Sequence, residues 1–440
     1  MKYYITNNTK NFVKAEKNFT LSSDSEMQQI KVYPSITFQE MHGMGGAFTE
    51  AAAYTWSQMS KKKQEELLNL YFSEEGCHYT YCRTHIQSCD FALGNYSYVE
   101  DASDTSLSTF QIDRDKKYLI PLISAALEKN KSIMLLASPW SPPSFMKTNG
   151  EMNHGGKLKK EYYDQWAKIV AKYILEYRNN GISISTITVQ NEPLAVQRWD
   201  SCIFSANEER DYACNHLRKA LDELDCKDIN ISIWDHNKEK LIDRTEETLA
   251  TDKDRKKING IAFHWYTGDH FEEVREVHKR YPEKELIMSE GCVEYSRKSQ
   301  RNPITYAEKY AHDIIGDFNA GANGFIDWNI YLNSEGGPNH VGNFCDAPIM
   351  CDTTHDTYII QKSYYYIKHF SHFIKQGAKC MLVSRYTDEI EATGFINPDG
   401  EKIVVLLNKS NNLQPFTLCE NKNTCEFEIE AHSIMTICWN

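Results

Sequence analysis

The chain has 440 residues, 41% hydrophobic and 25% charged, enough to bury a large core and longer than one compact domain usually needs. A formal net charge of −12 and a pI near 5.7 disfavour nucleic acid as a partner, because phosphate binding relies on clustered Lys and Arg. No apolar segment of signal-peptide type follows the first basic residue, and no uncharged apolar run reaches the ~18 residues of a membrane span, so a cytoplasmic protein without an integral membrane segment is expected.

In chain order, the first thirty or so residues carry strand-like runs, FVKAEKNFTL and QQIKVYP, which are expected to pair with strands from the other end of the chain. From about residue 40 to 375, short β-type runs alternate with longer helix-type stretches. The runs are HGMGGAFT, YTYCRTHI, SIMLLAS, ISTITVQ, INISIWD, GIAFHWY, ELIMSE and NGFIDWN. Between them lie segments with helical periodicity, such as KYLIPLISAALEKN and YYDQWAKIVAKYILEYRNN. Strands separated by helices pair in parallel through crossovers, and eight such units are the count that closes a (β/α)8 TIM barrel, with an open doubly wound sheet as the competitor. From Lys379 onward the runs MLVSRY, IEATGFI, KIVVLLN, FTLCE, CEFEIEA and IMTICW read as a small all-β domain with turn signals such as Asn397-Pro398-Asp399-Gly400. The expected organisation is α/β: residues 1–35 contributing strands to a β-sandwich, 36–375 forming the barrel, and 376–440 completing the sandwich.

Polar and aromatic residues follow the apolar part of each central run: Arg83 and Asp90, Trp140, Asn191 and Glu192, Asp235 and His236, His264 and Tyr266, Glu290, then Asp327, Trp328 and Asn329. In a barrel these positions share the C-terminal rim, where the active site is built. Glu192, in Asn191-Glu192-Pro193 at the fourth strand, then faces Glu290, in Ser-Glu-Gly at the seventh. Hydrolysis of an acetal needs one carboxyl group to protonate the leaving oxygen and another to attack or stabilise the cationic carbon, and this pair supplies both. Gly43-Met44-Gly45-Gly46 lacks the spacing of a phosphate loop and reads as a tight turn under the site. The 13 cysteines show no zinc-type spacing and His42 stands alone on the first strand, so neither a metal nor a cofactor is expected.

Several long motifs (HGMGGAFTEAAA, LLASPWSPPSFMKTNG, QNEP, GIAFHWY, SEGC, DWNIYLNSEGGPNHVGNF and PIMCDTTHDT) resemble glycoside hydrolase family 30, the glucosylceramidase family. The resemblance runs nearly the whole length and implies a barrel fused to a β-sandwich, with hydrolysis that retains anomeric configuration. It implies Glu192 as acid/base and Glu290 as nucleophile, with carboxyl groups roughly 5 to 5.5 Å apart. An acid of this kind is expected to have a raised pKa and the nucleophile to stay ionised. By the same matching Asp90, Trp140, Asn191, Trp328 and Asn343 surround the first sugar, Arg83 orients the nucleophile or Asp90, Tyr266 donates to Glu290, and His264 belongs to the same substrate-binding set. The segment LAVQRWDSC after Pro193 resembles bacterial members and lies where the leaving group sits, so Trp199 and Arg198 are expected to line that outer subsite. The implied substrate is a β-glucoside, as glycolipid or oligosaccharide, with β-1,6-glucan, β-xylosides and β-fucosides as alternatives. A carbohydrate-binding barrel without catalysis and a metal-dependent barrel hydrolase are the readings from other classes.

Overall fold

The computed structural model describes residues 1–21, 28–293 and 303–440. Eight parallel strands close a barrel in chain order: Gly43–Phe48, Tyr81–Ile86, Met134–Pro139, Thr186–Thr188, Asn230–Asn237, Gly260–His264, Glu285–Glu290 and Gly324–Asp327, the last pairing back onto the first. Each of the eight apolar runs supplies one strand, so the TIM barrel holds and the open sheet does not. The runs are continuous rather than alternating because both faces are covered; every residue of Tyr81–Ile86 is buried. Gly43–Phe48 is likewise a buried strand, which corrects the expected turn at its glycines. A Cβ on Gly45 would sit 2.0 Å from the backbone oxygen of Tyr81, so glycine is what lets the first two strands approach.

Helices wrap the barrel with their apolar faces inward. Tyr163–Asn179 buries Trp166, Ile169, Val170, Tyr173, Ile174 and Tyr177, a three-and-four spacing that makes one helical stripe. Ser205 starts the Ala206–Asp211 helix through a capping box with Glu208, a device that contributes ~1 kcal/mol.

A 10-stranded sheet forms the second unit. Lys2–Thr6 pairs antiparallel with Ser433–Trp439, and Gln29–Glu40 lies between Lys379–Arg385 and Gln414–Glu420, so both ends of the chain build one sandwich. Gln29–Glu40 runs from the sandwich almost to the first barrel strand, through residue 35, where the sequence reading divides the units. The sandwich has its own core, with Ile30, Val32, Leu406, Phe416, Phe427 and Trp439.

Candidate active site

The carboxyl ends of the strands converge on a cavity of ≈ 260 Å³ lined by Asp90, Trp140, Asn191, Glu192, Trp199, His236, Tyr266, Glu290, Cys292, Trp328, Asn343 and Cys345, with Phe91, Gln197 and Asn237 completing it. Of the residues named from the sequence, Asp90, Trp140, Asn191, Glu192, Trp199, Tyr266, Glu290, Trp328 and Asn343 therefore share one surface. Arg198 is exposed and lies outside the lining, where Gln197 takes the place expected for it.

Arg83 and His264 are also absent from the lining, and both side chains are fully buried. They sit beneath the cavity: Arg83 holds Glu290, one of the two partners expected for it, while His264 lies behind Glu192 and not in the lining where the sequence puts it. Arg83 spends its fixed fork of donors on five neighbours: Nη1 on Glu290 Oε2 at 2.6 Å and the Ser289 carbonyl at 3.4 Å, Nη2 on Asp235 Oδ2 at 2.8 Å and Asn191 Oδ1 at 2.9 Å, and Nε on Ser138 Oγ at 3.1 Å. Its guanidinium lies 4.8 Å and 5.5 Å from the ring centres of Trp140 and Trp328, which stack on each other. Asp90 takes no bond from Arg83; its Oδ2 accepts from Asn343 at 3.2 Å and Asn339 at 3.4 Å. Burial, then the charge of Glu290, push the Asp90 carboxyl up to about 8.

The hub beneath the site is Asp235, which the sequence places on the rim without a role. Its Oδ2 accepts from Arg83, Ser138 and Thr188, and its Oδ1 from Ser289 at 2.6 Å and His264 Nε2 at 3.0 Å. Burial opposes its ionisation, but Arg83 and His264 hold the carboxyl well below the usual range. Two register shifts create this arrangement. Ala262 pairs with Trp234 and Phe263 with His236, so Asp235 bulges from the ladder at φ 52°; Phe263 pairs with Met288 and His264 with Glu290, so Ser289 bulges beside it.

Glu192 and Glu290 meet across this hub. One oxygen of each and a ring nitrogen of His264 all lie within 4.8 Å of one another. Glu192 is itself strained, at φ 47°, with its amide bonded to the Asp235 carbonyl at 2.9 Å. Its Oε1 faces His264 Nδ1 at 3.3 Å and His236 Nε2 at 3.9 Å. Glu290 accepts from Arg83 and from the Tyr266 hydroxyl at 2.9 Å.

The proton does not rest where the sequence reading puts it. Burial opposes ionisation of Glu192, but the His236 and His264 imidazoles hold its carboxyl down at about 2. His236 is itself lowered by burial and so is neutral near pH 7, which leaves His264 as the imidazolium of the pair. Burial would lower His264 too, yet Glu290, Asp235 and Glu192 raise it to about 9. Glu290 moves up: burial and the charge of Glu192 outweigh His264 and Arg83. The expected rise of Glu192 is thus reversed, because His264 and Glu192 share one proton and the imidazole holds it, while burial moves Glu290 upward instead.

Glu192, His264 and Glu290 have the donor types of a metal site. Their atoms are already committed, however: both Glu290 oxygens and both His264 nitrogens have partners, and Arg83 places a fixed cation 2.6 Å from Glu290. That donor set does not fit a metal ion.

Residues 41–374 match the glycosyl hydrolase family 30 TIM-barrel domain, and residues 377–437 match the glycosyl hydrolase family 30 beta sandwich domain. The chain belongs to glycoside hydrolase family 30. It is 33% identical over 430 residues to the lysosomal acid glucosylceramidase of Mus musculus, covering 93% of this chain and 83% of that one. It is 26% identical to an endo-1,6-beta-D-glucanase of Neurospora crassa over 86% of this chain and 81% of that one. Among solved structures, SrfJ from Salmonella typhimurium is 42% identical with a TM-score of 0.97, each chain covering 100% of the other. As a family 30 member the chain is a glycoside hydrolase, and the carbohydrate-binding barrel without catalysis falls away. Among the described residues no helix is long and apolar enough to cross a membrane.

Proposed function

We propose that this glycoside hydrolase is a retaining β-glucosidase that releases a glucosyl unit from a glucosylceramide-like glycolipid. The observation that carries the retaining mechanism is the approach of Glu192 and Glu290 to within 4.8 Å, because an inverting enzyme needs its carboxyl groups roughly 6.5 to 9.5 Å apart to admit water. Glu290 attacks the anomeric carbon while Arg83 and Tyr266 fix its two oxygens. As the glycosidic oxygen gains charge, the proton on His264 passes to Glu192 Oε1 and from there to the leaving group. Water then enters, Glu192 takes its proton, and the glucosyl ester on Glu290 is hydrolysed with net retention. Asp90, Asn191 and Asn343 offer hydrogen bonds to sugar hydroxyls, and Trp140 and Trp328 offer flat faces to the ring.

The glycolipid reading rests on the mouth. Leu93, Leu194, Val196 and Phe344 are exposed on loops that also carry cavity-lining residues, Val196 at 63% of its surface. Exposed apolar side chains on the loops that form the site suit an apolar aglycone better than a polyhydroxylated glucan. The glucanase relatives keep β-1,6-glucan as the second reading.

A hydrolysis screen of aryl β-glucoside, β-xyloside and β-fucoside, glucosylceramide in detergent micelles and a β-1,6-glucan decides the substrate, and NMR of the first-formed sugar decides the anomer. First-formed α-glucose from a β-glucoside refutes retention. Turnover of glucan with none of glucosylceramide refutes the glycolipid reading.

A further inference from the structure

Two thiols with no part in the glycosidase chemistry face the cavity. Cys292 stands two residues beyond Glu290 and Cys345 two beyond Asn343, and both line the same wall. Both side chains belong to one buried cluster at the site, close enough that Cys345 raises the Cys292 thiol. The Tyr266 hydroxyl lies 3.5 Å from Cys292 Sγ and is also the group that donates to Glu290 Oε1 at 2.9 Å. The pair is thus one contact away from the nucleophile, and it bridges the segments that follow the seventh and eighth strands. A cavity that admits a sugar ring also admits a small reagent.

We propose that Cys292 and Cys345 form a modification site for low-molecular-weight disulfides, which close the two thiols into an intramolecular disulfide and arrest turnover. One protein thiol loses its proton and attacks the reagent RSSR, forming a mixed disulfide and expelling RS⁻, which takes up the proton as RSH. The second protein thiol then attacks the mixed disulfide at the protein sulfur and expels a second RSH. The two cysteine sulfurs are oxidised, the two reagent sulfurs are reduced, and no other oxidant enters. The neighbouring Cys345 and burial both raise the Cys292 thiol, so the first attack is slow and the exposure must be long.

Closure acts on catalysis through two contacts. Drawing Cys292 Sγ into a bond with Cys345 takes it from the Tyr266 hydroxyl and disturbs the bond that hydroxyl makes to Glu290. It also ties Cys345 to the segment next to Glu290, two residues from the Asn343 that holds Asp90. The consequence for activity rests on the reading of Glu290 as nucleophile; the consequence for the thiols does not.

The test uses the full chain, reduced and then incubated with 2-hydroxyethyl disulfide. Peptide mapping should find Cys292 joined to Cys345. Turnover of an aryl β-glucoside, relative to the same protein untreated, should fall about tenfold or more, the worth of one hydrogen bond to a charged group, and dithiothreitol should restore it. The double variant Cys292→Ala/Cys345→Ala, compared with its own untreated activity, should be insensitive to the reagent. The proposal is overturned if mapping of the native chain finds no Cys292–Cys345 bond, if the bond forms with turnover unchanged, or if the double variant is inactivated as strongly as the native chain. Mapping needs no substrate, so it decides the site even where the glucoside reading fails.

Discussion

Replacing His264 with Asn separates a protonated imidazole from a merely packed one. Burial opposes protonation of His264, but Glu290, Asp235 and Glu192 raise it from 6.5 to about 9. A raised pKa means that folding holds the proton more tightly than the unfolded chain does. The resulting stability is complete below pH 6.5 and is lost as pH rises through about 9. At 1.36 kcal/mol per unit the shift corresponds to about 3 kcal/mol. Glu192 behaves in the opposite sense: its contribution is complete above 4.5 and lost as pH falls through about 2, so the pair contributes fully between the two unfolded values. With an unfolding entropy of about 2.1 cal/mol/K per residue over 440 residues, about 3 kcal/mol is worth about 3 °C. Asn does not titrate, and the bonds it loses shift its melting midpoint by a constant. The difference in midpoint between native chain and variant, followed by thermal melts from about pH 7 to about pH 9.5, should therefore narrow by about that amount. The basic limb of kcat/KM should also move to lower pH in the variant, because Glu192 then holds the acid proton without an imidazole behind it. A midpoint difference that stays constant or widens over this range refutes a protonated His264, and with it the proton store assigned to the pair.

Glu192→Gln removes the proton donor, so kcat/KM on an alkyl β-glucoside should fall by about 10² to 10⁴, and far less for an aryl glucoside whose leaving group needs no proton. Equal losses on both substrates contradict the acid role. Tyr266→Phe deletes the bond to Glu290 Oε1 and should lower kcat/KM by about tenfold to 150-fold with the melting midpoint nearly unchanged, since one hydrogen bond to a charged group is worth about 1.5 to 3 kcal/mol. Asn343→Ala takes a donor from Asp90 Oδ2 and should raise KM for the sugar more than it lowers kcat, as steady-state kinetics will read. Gly45→Ala places a methyl group 2.0 Å from the Tyr81 carbonyl oxygen, so the barrel must open there; a variant melting within a degree or so of the native chain would show that the strand pair yields more easily than packing allows.

What could be read from the sequence, and what could not, divides at the β-bulges. Eight apolar runs with a polar or aromatic residue after each announce the barrel and its rim, because buried parallel strands need no alternation and their C-terminal ends all face one way. That logic places Glu192, Glu290, Asp90 and both tryptophans on one surface without any contact being known. It assumes regular strands, however, and so it puts His264 beside the sugar when it lies under it. Strand alternation cannot show that Asp235 leaves the ladder at positive φ, where no glycine marks such a backbone, or that the register skips Ser289 next door. Yet these two residues decide the electrostatics. Asp235 fixes Arg83 on one oxygen and His264 on the other, so the cation that steadies Glu290 and the imidazole that loads Glu192 are set by a single carboxylate. The reversed proton order follows from that geometry, because it needs an imidazole between two carboxylates. Glu192 and Glu290 are legible in the chain because their role is chemical; the residue that tunes both is hidden because its role depends on where a strand breaks register.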